Sequence, residues 1–163
     1  MASRFLILYC LLLIPLGCSK TSQLELMKVP IGNEVFTLEL QLDVQGRMRG
    51  LMNRDEVPKG KGMLFVFPDA SERSFWMKNC LINIDIIFLD SRGTILSVYE
   101  MPAEMPQGIN ESDMNYESRL THYWSYGPAR FAIELREGSI ERLGLRPNDQ
   151  ITLDLDLLRS LAR

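Results

Sequence analysis

Hydrophobic and polar residues alternate at the start of the domain in the way that is typical of a strand with one buried face. Residues 36–42 carry an apolar side chain at every second position, and this period of two predicts a strand packed against a core. Asp43 follows, and the apolar positions of residues 44–52 then recur at helical spacing. We therefore expect a short helix that begins after an Asp43 N-cap.

Uninterrupted runs of apolar residues predict strands that are covered on both faces. Residues 63–67 form such a run, and Pro68 after it predicts the end of the strand. Residues 75–80 and 84–89 are expected to form two further strands. A polar turn after the second of them predicts a hairpin whose other arm spans residues 94–99.

The C-terminal part of the chain predicts two more strands around a short helix. Residues 130–135 and 150–155 have the apolar content of strands, and residues 139–143 have the pattern of a capped helical turn. Asn148 precedes the last strand, and we expect a turn there because asparagine tolerates a positive φ.

A long connection, rich in Pro, Gly, Asn and Ser, joins residues 101 and 128. Connections of more than about 15 residues are usually functional lids or mobile segments. Four aromatic residues cluster in it, namely Tyr116, Tyr123, Trp124 and Tyr126. They predict either an exposed surface that stacks on sugar rings or on a partner, or a cover over the open end of the strands.

Six or seven short strands with little helix predict an all-β domain that contains one or two short helices. We expect a compact β-sandwich or a small closed barrel, formed by residues 29–163 as a single domain. The chain has 163 residues, of which 24% are charged and 46% hydrophobic, and its formal charge is −3. These values are typical of an ordinary globular domain and give no electrostatic reason to expect a nucleic acid as partner.

The N-terminus differs from the rest of the chain. Arg4 is the only charged side chain before an apolar run over residues 5–16, which is followed by Gly17-Cys18. This run is too short to cross the roughly 30 Å hydrocarbon core of a bilayer as a helix, so we expect a signal peptide over residues 1–18. The segment resembles a bacterial lipoprotein signal, although Pro15 stands where that signal usually has Leu. An ordinary signal peptide cut nearby is the alternative.

Lipidation of Cys18 would place the protein in the cell envelope. Acyl chains on this cysteine would anchor the protein to a membrane, with residues 19–28 as a short tether. The resemblance to lipoproteins implies that Ser19, directly after the lipidated cysteine, favours the outer membrane of a two-membrane cell, facing the periplasm. Cys10 would leave with the signal, so Cys80 would remain as the one free thiol, and no disulfide is predicted.

Five motifs follow one another along the domain. They are RGLMNR at 49–54, GMLFVF at 62–67, FWMKN at 75–79, Asp85 with Phe88 and Asp90, and PARFAIEL at 128–135 with Gly138, Gly144 and Asp149. Their residues and their order resemble the prokaryotic domain-of-unknown-function family 192 over residues 35–155. The resemblance implies a compact β-sandwich of jelly-roll type. Because no activity is established for that family, it implies an architecture and a candidate site but no reaction.

The chain departs from the family pattern at three places. Cys80 stands where the family usually has Thr, which removes any role for a hydroxyl group at that position. Asn148 stands where the family has Gly, and the connection between residues 101 and 128 is longer than usual.

Polar and aromatic side chains among the apolar strands predict a candidate ligand site. They are Arg49, Arg54, Trp76, Lys78, Asn79 and Asp85, to which Trp124 of the long connection is added. In one interpretation Lys78 and an arginine hold an anionic or hydroxyl-rich ligand, Trp76 stacks on it and Asn79 orients it. In the other, the cluster ties the helix to the sheet, and Asp85 pairs with Arg49 or Lys78. If the segment is a strand, Trp76 and Lys78 share one face while Asn79 lies on the opposite one.

Two catalytic arrangements are also possible from the residue types. Cys80 and His122 could supply a thiol and a base, with Asp113 or Glu117 orienting the imidazole. Cys80 and His122 both lie where the chain departs from the family pattern, which argues against a catalytic role for this pair. Asp85 and Glu134 could instead act as the paired carboxylates of a glycoside hydrolase.

Nine methionines suggest a copper(I) site, because thioether ligands suit that ion. Four of them, Met48, Met52, Met63 and Met77, fall where the apolar pattern already predicts core residues. Core packing is the better interpretation, and we expect neither a metal nor a cofactor.

Two functions remain open at this point. The first is a non-enzymatic envelope protein that binds a small polar or carbohydrate-like ligand, or a partner protein. The second is an enzyme of unknown reaction that uses Lys78, Asp85 and Asn79 in one cleft.

Overall fold

The computed structural model describes residues 25–162. The signal peptide expected at residues 1–18, the lipidation of Cys18 and the first part of the tether expected at residues 19–28 lie outside the described residues.

Strands dominate the described part of the chain. They are β1 (Leu26–Ile31), β2 (Glu34–Gln41), β3 (Lys61–Ser71), β4 (Ser74–Phe75), β5 (Ile84–Leu89), β6 (Ile95–Met101), β7 (Tyr123–Trp124) and β8 (Ala129–Arg136). Four short helices accompany them, namely α1 (Val44–Arg49), α2 (Asp113–Arg119), α3 (Ser139–Leu143) and α4 (Leu155–Leu161). The prediction of a mostly β domain with short helices is therefore confirmed.

Six of the strands form one mixed sheet in the order β1-β2-β3-β8-β5-β6, and β4 pairs with β7 in a separate two-stranded ribbon. Strands β2 and β3 are parallel, whereas the other neighbours in the sheet are antiparallel. The sheet is open, with β1 and β6 at its edges, so the prediction of a closed barrel is wrong for residues 25–162. This strand pairing does not confirm the sandwich or jelly-roll arrangement, which stays a prediction.

The central strands β3, β8 and β5 are covered on both faces. One face, called here the helix-covered face, packs against α3 and α4; its buried residues include Leu38, Leu64, Ile87, Ile133, Ile140 and Leu158. The other, called here the loop-covered face, packs against the segments that follow α1 and β4; its buried residues include Leu51, Met63, Phe65, Met77, Ile86, Phe88 and Ala132. All six residues of β5 are buried, as the composition of this strand predicts, which is apolar at every position except Asp85.

Several local predictions are confirmed by the structure. Strands β2, β5 and β8 lie at the predicted positions, and β5 and β6 form the predicted hairpin. The carboxylate of Asp43 accepts a hydrogen bond of 2.8 Å from the backbone N–H of Gly46, which makes Asp43 the N-cap of α1. Asn148 has the expected positive φ, at 77°.

Three predicted boundaries are wrong. Strand β3 continues past Pro68 to Ser71, with an irregularity in its pairing to β8 that accommodates the proline. Residues 75–80 are not a strand beyond Phe75, because the chain turns at Asn79, whose φ is +54°. Residues 150–155 meet the sheet only at an isolated bridge between Thr94 and Gln150, and Asp154 then caps α4.

The connection between residues 101 and 128 contains two elements that the sequence analysis missed. Helix α2 begins after Ser112, whose hydroxyl accepts a hydrogen bond of 3.3 Å from the N–H of Asn115, and β7 follows it. Tyr116, which lies in α2, is buried. Trp124 and Tyr126, which follow the helix, are 41% and 77% exposed. The aromatic cluster is therefore partly buried and partly exposed, and its role as a stacking surface or as a cover stays a prediction. No helix within residues 25–162 has the length and apolar character needed to span a membrane.

Asp85 lies on β5 with its carboxylate on the helix-covered face. Helix α3 has Gly138 at its N-cap position and so has no cap of its own. Asp85 replaces that cap, because its Oδ2 accepts a hydrogen bond of 2.7 Å from the backbone N–H of Ile140. Burial raises the pKa of Asp85, although hydrogen bonds from the backbone of Ile140 and Gly138 act in the opposite direction. The expectation that Asp85 pairs with Lys78 or Arg49 is therefore wrong.

Replacing Asp85 by alanine should lower the free energy of unfolding by about 1–3 kcal/mol, because a buried N–H at the start of α3 loses its acceptor. Asp85→Asn keeps an oxygen acceptor and should lose less. Chemical denaturation monitored by circular dichroism measures both changes. Asp156→Ala on α4 is the matched control, since that side chain is 99% exposed. An effect of Asp85→Ala below about 0.5 kcal/mol would contradict the capping role.

Candidate functional site

A pocket of about 790 Å³ opens on the loop-covered face of the sheet. Its lining comes from α1 and the residues after it, from the second half of β3, from the β4 region, from α2, from His122 and from β8. Ligand sites in proteins usually have volumes of about 300–1,000 Å³. The pocket therefore has the size that a small organic ligand requires.

Aromatic rings form the inner wall of this pocket. The ring of Phe75 packs edge-to-face against that of Phe65 at a centroid distance of 4.9 Å and against that of Phe67 at 6.4 Å. Nearer the mouth, His122 lies between two tryptophan rings, 5.2 Å from Trp76 and 6.1 Å from Trp124. Trp76 and His122 line the pocket, whereas Trp124 lies beyond them on the ribbon.

Side chains of both charges surround the mouth. The cations are Arg47, Arg49, Arg73 and Lys78, and the acids are Asp69, Glu72 and Glu117. The guanidinium group of Arg73 lies 4.2 Å from the centroid of the Phe67 ring and donates a hydrogen bond of 2.9 Å to Asp69. That of Arg47 donates to the carbonyl oxygens of Leu42 and Val66. Arg49 is exposed on the wall of the mouth.

Lys78 joins the pocket wall to α2. Its ammonium group forms a salt bridge with Glu117, which raises the pKa of Lys78. The same ammonium group lies 5.8 Å from the centroid of the Trp76 ring. Trp76 and Lys78 thus converge as predicted, although they do so from a turn rather than from one face of a strand.

The turn that carries these two residues is held by its backbone. The N–H of Asn79 donates a hydrogen bond of 2.9 Å to the phenol oxygen of Tyr116. The carbonyl oxygen of Asn79 accepts one of 2.8 Å from the N–H of Asn53. Asn79 therefore fixes the turn through its positive φ and its backbone groups, and its side chain does not line the pocket.

Glu134 on β8 lies at the floor of the pocket. The residue is 5% exposed, and its Oε2 has no hydrogen-bond partner within residues 25–162. Burial raises the pKa of Glu134 to about 8, and the positive charge of Arg54 opposes this shift only in part. Most of the Glu134 side chains therefore carry a proton at neutral pH.

Arg54 does not line the pocket. Two nitrogens of its guanidinium group donate to the two carboxylate oxygens of Glu39, at 2.7 and 2.5 Å. This pairing raises the pKa of Arg54. The residue is consequently a structural link between β2 and the segment after α1, with only an indirect effect on the pocket through Glu134.

The structure brings together three of the seven predicted ligand residues. Arg49, Trp76 and Lys78 line the pocket, whereas Arg54, Asn79, Asp85 and Trp124 do not. Sequence reasoning named Glu134 only as a partner of Asp85. Glu134 is the one acid in the apolar segment 131–135. Because a buried acid needs a partner or a function, this position could have identified Glu134 as a site residue in its own right.

Neither of the two catalytic arrangements is assembled. Asp85 and Glu134 lie on opposite faces of the sheet, so they cannot act on one bond. Cys80 and His122 both line the pocket, but the thiol of Cys80 lies 3.6 Å from the carbonyl oxygen of Lys78, and burial raises its pKa to about 12. A thiol with such a pKa is a poor nucleophile at neutral pH.

The four methionines that the apolar pattern assigns to the core divide between core and pocket. Met63 and Met77 are buried in the loop-covered core, as the apolar pattern predicts. Met48 and Met52 line the pocket instead. Met48 is 67% exposed, so its assignment to the core is wrong. Within residues 25–162, no three His, Cys, Asp or Glu side chains are arranged to hold a metal ion.

Two crystal structures are similar to this chain. One is a protein of unknown function from Novosphingobium aromaticivorans, with 27% identity and a TM-score of 0.66, over 82% of this chain and 89% of that one. The other is a Sinorhizobium meliloti protein suggested by its description to be a transcription regulator, with 29% identity and a TM-score of 0.61, over 77% of this chain and 89% of that one. Curated proteins give no significant match.

The family comparison agrees with the five motifs noted in the sequence. The model of the DUF192 family, described as "Uncharacterized ACR", matches residues 27–153. Because this match spans well over half of the 163 residues, the chain belongs to the DUF192 family.

Proposed function

We propose that this protein binds a small organic ligand in the pocket on the loop-covered face. The observation that carries the proposal is the pocket itself, about 790 Å³ in volume, with an aromatic inner wall and charged groups at its mouth. Apolar walls with a few placed polar groups are the usual composition of a ligand site. The ligand would be a small polar or carbohydrate-like molecule with a flat apolar side.

Each part of the pocket suits a different part of such a ligand. The ring of Trp76 offers a face for stacking against a sugar ring or an aromatic ring. Arg49 is exposed at the mouth, where a guanidinium group suits a carboxylate or a phosphate. Lys78 is engaged with Glu117 and therefore shapes the mouth more than it supplies free charge.

The geometry favours binding over the enzymatic alternative. That alternative requires Lys78, Asp85 and Asn79 in one cleft, but Asp85 lies across the sheet and the side chain of Asn79 lies outside the pocket. The regulatory role suggested for the Sinorhizobium protein is not extended to this chain, because a formal charge of −3 gives no attraction for nucleic acid.

We place this binding function in the cell envelope. The support is the signal-like segment at residues 1–18, which ends at Cys18. Acylation there would tether the domain to the outer membrane, facing the periplasm, where glycans of the envelope or a partner protein are available as ligands.

Trp76→Leu should weaken binding of the fluorescent probe 8-anilinonaphthalene-1-sulfonate by about tenfold, equivalent to roughly 1.4 kcal/mol of lost stacking. The probe suits the pocket because it combines aromatic rings with one anionic group. Trp124→Leu is the matched control: it removes the same ring type from outside the pocket and should change the dissociation constant less than twofold. Fluorescence titration measures both. Equal affinities for the wild type and the Trp76 variant would count against this pocket as the binding site.

Cys18→Ser should move the protein from the membrane fraction to the soluble fraction, because the serine cannot carry the acyl chain. Cell fractionation with metabolic labelling by a palmitate analogue measures the change. Cys10→Ser is the control, since that cysteine would be removed with the signal and its loss should leave the membrane fraction and the label unchanged. A membrane fraction that Cys18→Ser does not alter would refute the anchor.

A further inference from the structure

Glu134 is placed at the floor of the pocket by three neighbouring strands. In the sheet register it lies opposite Met63 of β3 and opposite Ile86 of β5, and both neighbours are apolar and buried. Its Oε2 has no hydrogen-bond partner within residues 25–162. Buried polar groups in folded proteins are nearly always satisfied, so an unpaired acid oxygen on a residue that lines a pocket needs an explanation.

The end of α1 packs over Oε2 of Glu134, while the residue itself still lines the pocket. Gly50 ends the helix with a φ of +48°, a conformation that favours glycine. A Cβ at this position would lie 3.6 Å from Oε2 of Glu134 and 3.4 Å from the Phe65 ring. Because Gly50 has no side chain, no Cβ stands between the helix end and the acid.

The charged groups that face Glu134 determine its protonation state. Arg54, from the segment after α1, is the one cation that acts on it, and this cation is already paired with Glu39 of β2. Cys80, from the turn after β4, is uncharged because its own pKa is raised to about 12. Strands β3 and β5 contribute only Met63 and Ile86.

The remaining charged groups of the pocket lie at its mouth. They are Arg47, Arg49, Asp69, Glu72, Arg73, Lys78 and Glu117, together with the titratable His122. Burial therefore dominates and raises the pKa of Glu134 to about 8. A protonated carboxyl group has one O–H donor, which it can offer to a neutral acceptor.

We infer that Glu134 is a ligand-binding residue that donates a hydrogen bond to a neutral oxygen acceptor at the inner end of the ligand. The inference rests on the proposed binding function and narrows its ligand class. The ligand has a flat apolar body that carries a carbonyl or similar oxygen at its inner end, and its anionic or polar end lies at the mouth beside Arg49.

Two probes of nearly equal shape separate the contribution of Glu134 from that of the pocket. 4-Acetylbenzoate and 4-isopropylbenzoate share the ring and the carboxylate, but only the first has a carbonyl oxygen at the other end. At pH 7 the wild type should bind the acetyl compound about tenfold more tightly, as measured by isothermal titration calorimetry. Glu134→Gln keeps a donor and should retain most of this preference, whereas Glu134→Leu should abolish it.

The pH profile gives a readout that a purely structural role of Glu134 would not produce. Above about pH 8 the carboxyl group loses its proton, so the tenfold wild-type preference for 4-acetylbenzoate over 4-isopropylbenzoate should disappear as the pH rises from 7 to 10. The affinity of Glu134→Gln should stay constant over the same range. Circular dichroism at each pH confirms that the variants are folded, and Glu134→Leu is expected to fold because it removes an unpaired buried acid.

Each outcome of this experiment bears on a definite claim. Equal preference in the wild type and Glu134→Leu, or a preference that persists unchanged to pH 10, overturns the donor role of Glu134 while the pocket stands. If neither benzoate binds but the naphthalene sulfonate probe still binds in a Trp76-dependent way, the ligand class is overturned and the binding function is retained. If none of the three probes binds, both proposals fail.

Discussion

The structure depends on three adjacent strands, β3, β8 and β5, that are buried on both faces. Such strands leave no water for polar side chains, so any acid on them must find a partner or carry a proton. Two buried acids occur there, and although one oxygen of each has no hydrogen-bond partner within residues 25–162, they meet this constraint differently. Asp85 points to the helix-covered face and caps α3 through the N–H of Ile140. Glu134 points to the loop-covered face, where its Oε2 has no partner and its pKa is raised to about 8.

The loop-covered face has a pocket because short, backbone-held segments surround it in place of a continuous helix. The turn at Asn79 is clamped by the phenol oxygen of Tyr116 on one side and by the N–H of Asn53 on the other. The guanidinium group of Arg119 lies 4.8 Å from the centroid of the Tyr116 ring. The long connection thus buttresses the pocket wall through α2, and Trp76 and Lys78 are held in place by contacts far from them in sequence.

The periodicity of apolar residues predicted the long strands correctly. It failed for segments whose conformation is determined by contacts with residues distant in sequence. Strand β5 and the cap at Asp43 followed from local pattern alone. The prediction of a strand over residues 75–80 is wrong because the positive φ of Asn79 is stabilised by partners from two distant segments. Of the residues predicted for the site, only Arg49, Trp76 and Lys78 line the pocket. Asp85 and Glu134 could not be assigned from sequence, because the register of their strands determines which face of the sheet each occupies.

The cross-strand row that contains Glu134 explains why its proton is retained. Glu39 of β2 lies opposite Met63 of β3, which in turn lies opposite Glu134 of β8. Arg54 lies close enough to affect both acids, but it forms both of its hydrogen bonds with the less buried Glu39. The cation that could have stabilised an ionised Glu134 is therefore largely neutralised by Glu39, two strands away. This division gives the pocket an uncharged, proton-donating floor and a charged mouth, and so gives any bound ligand a defined direction.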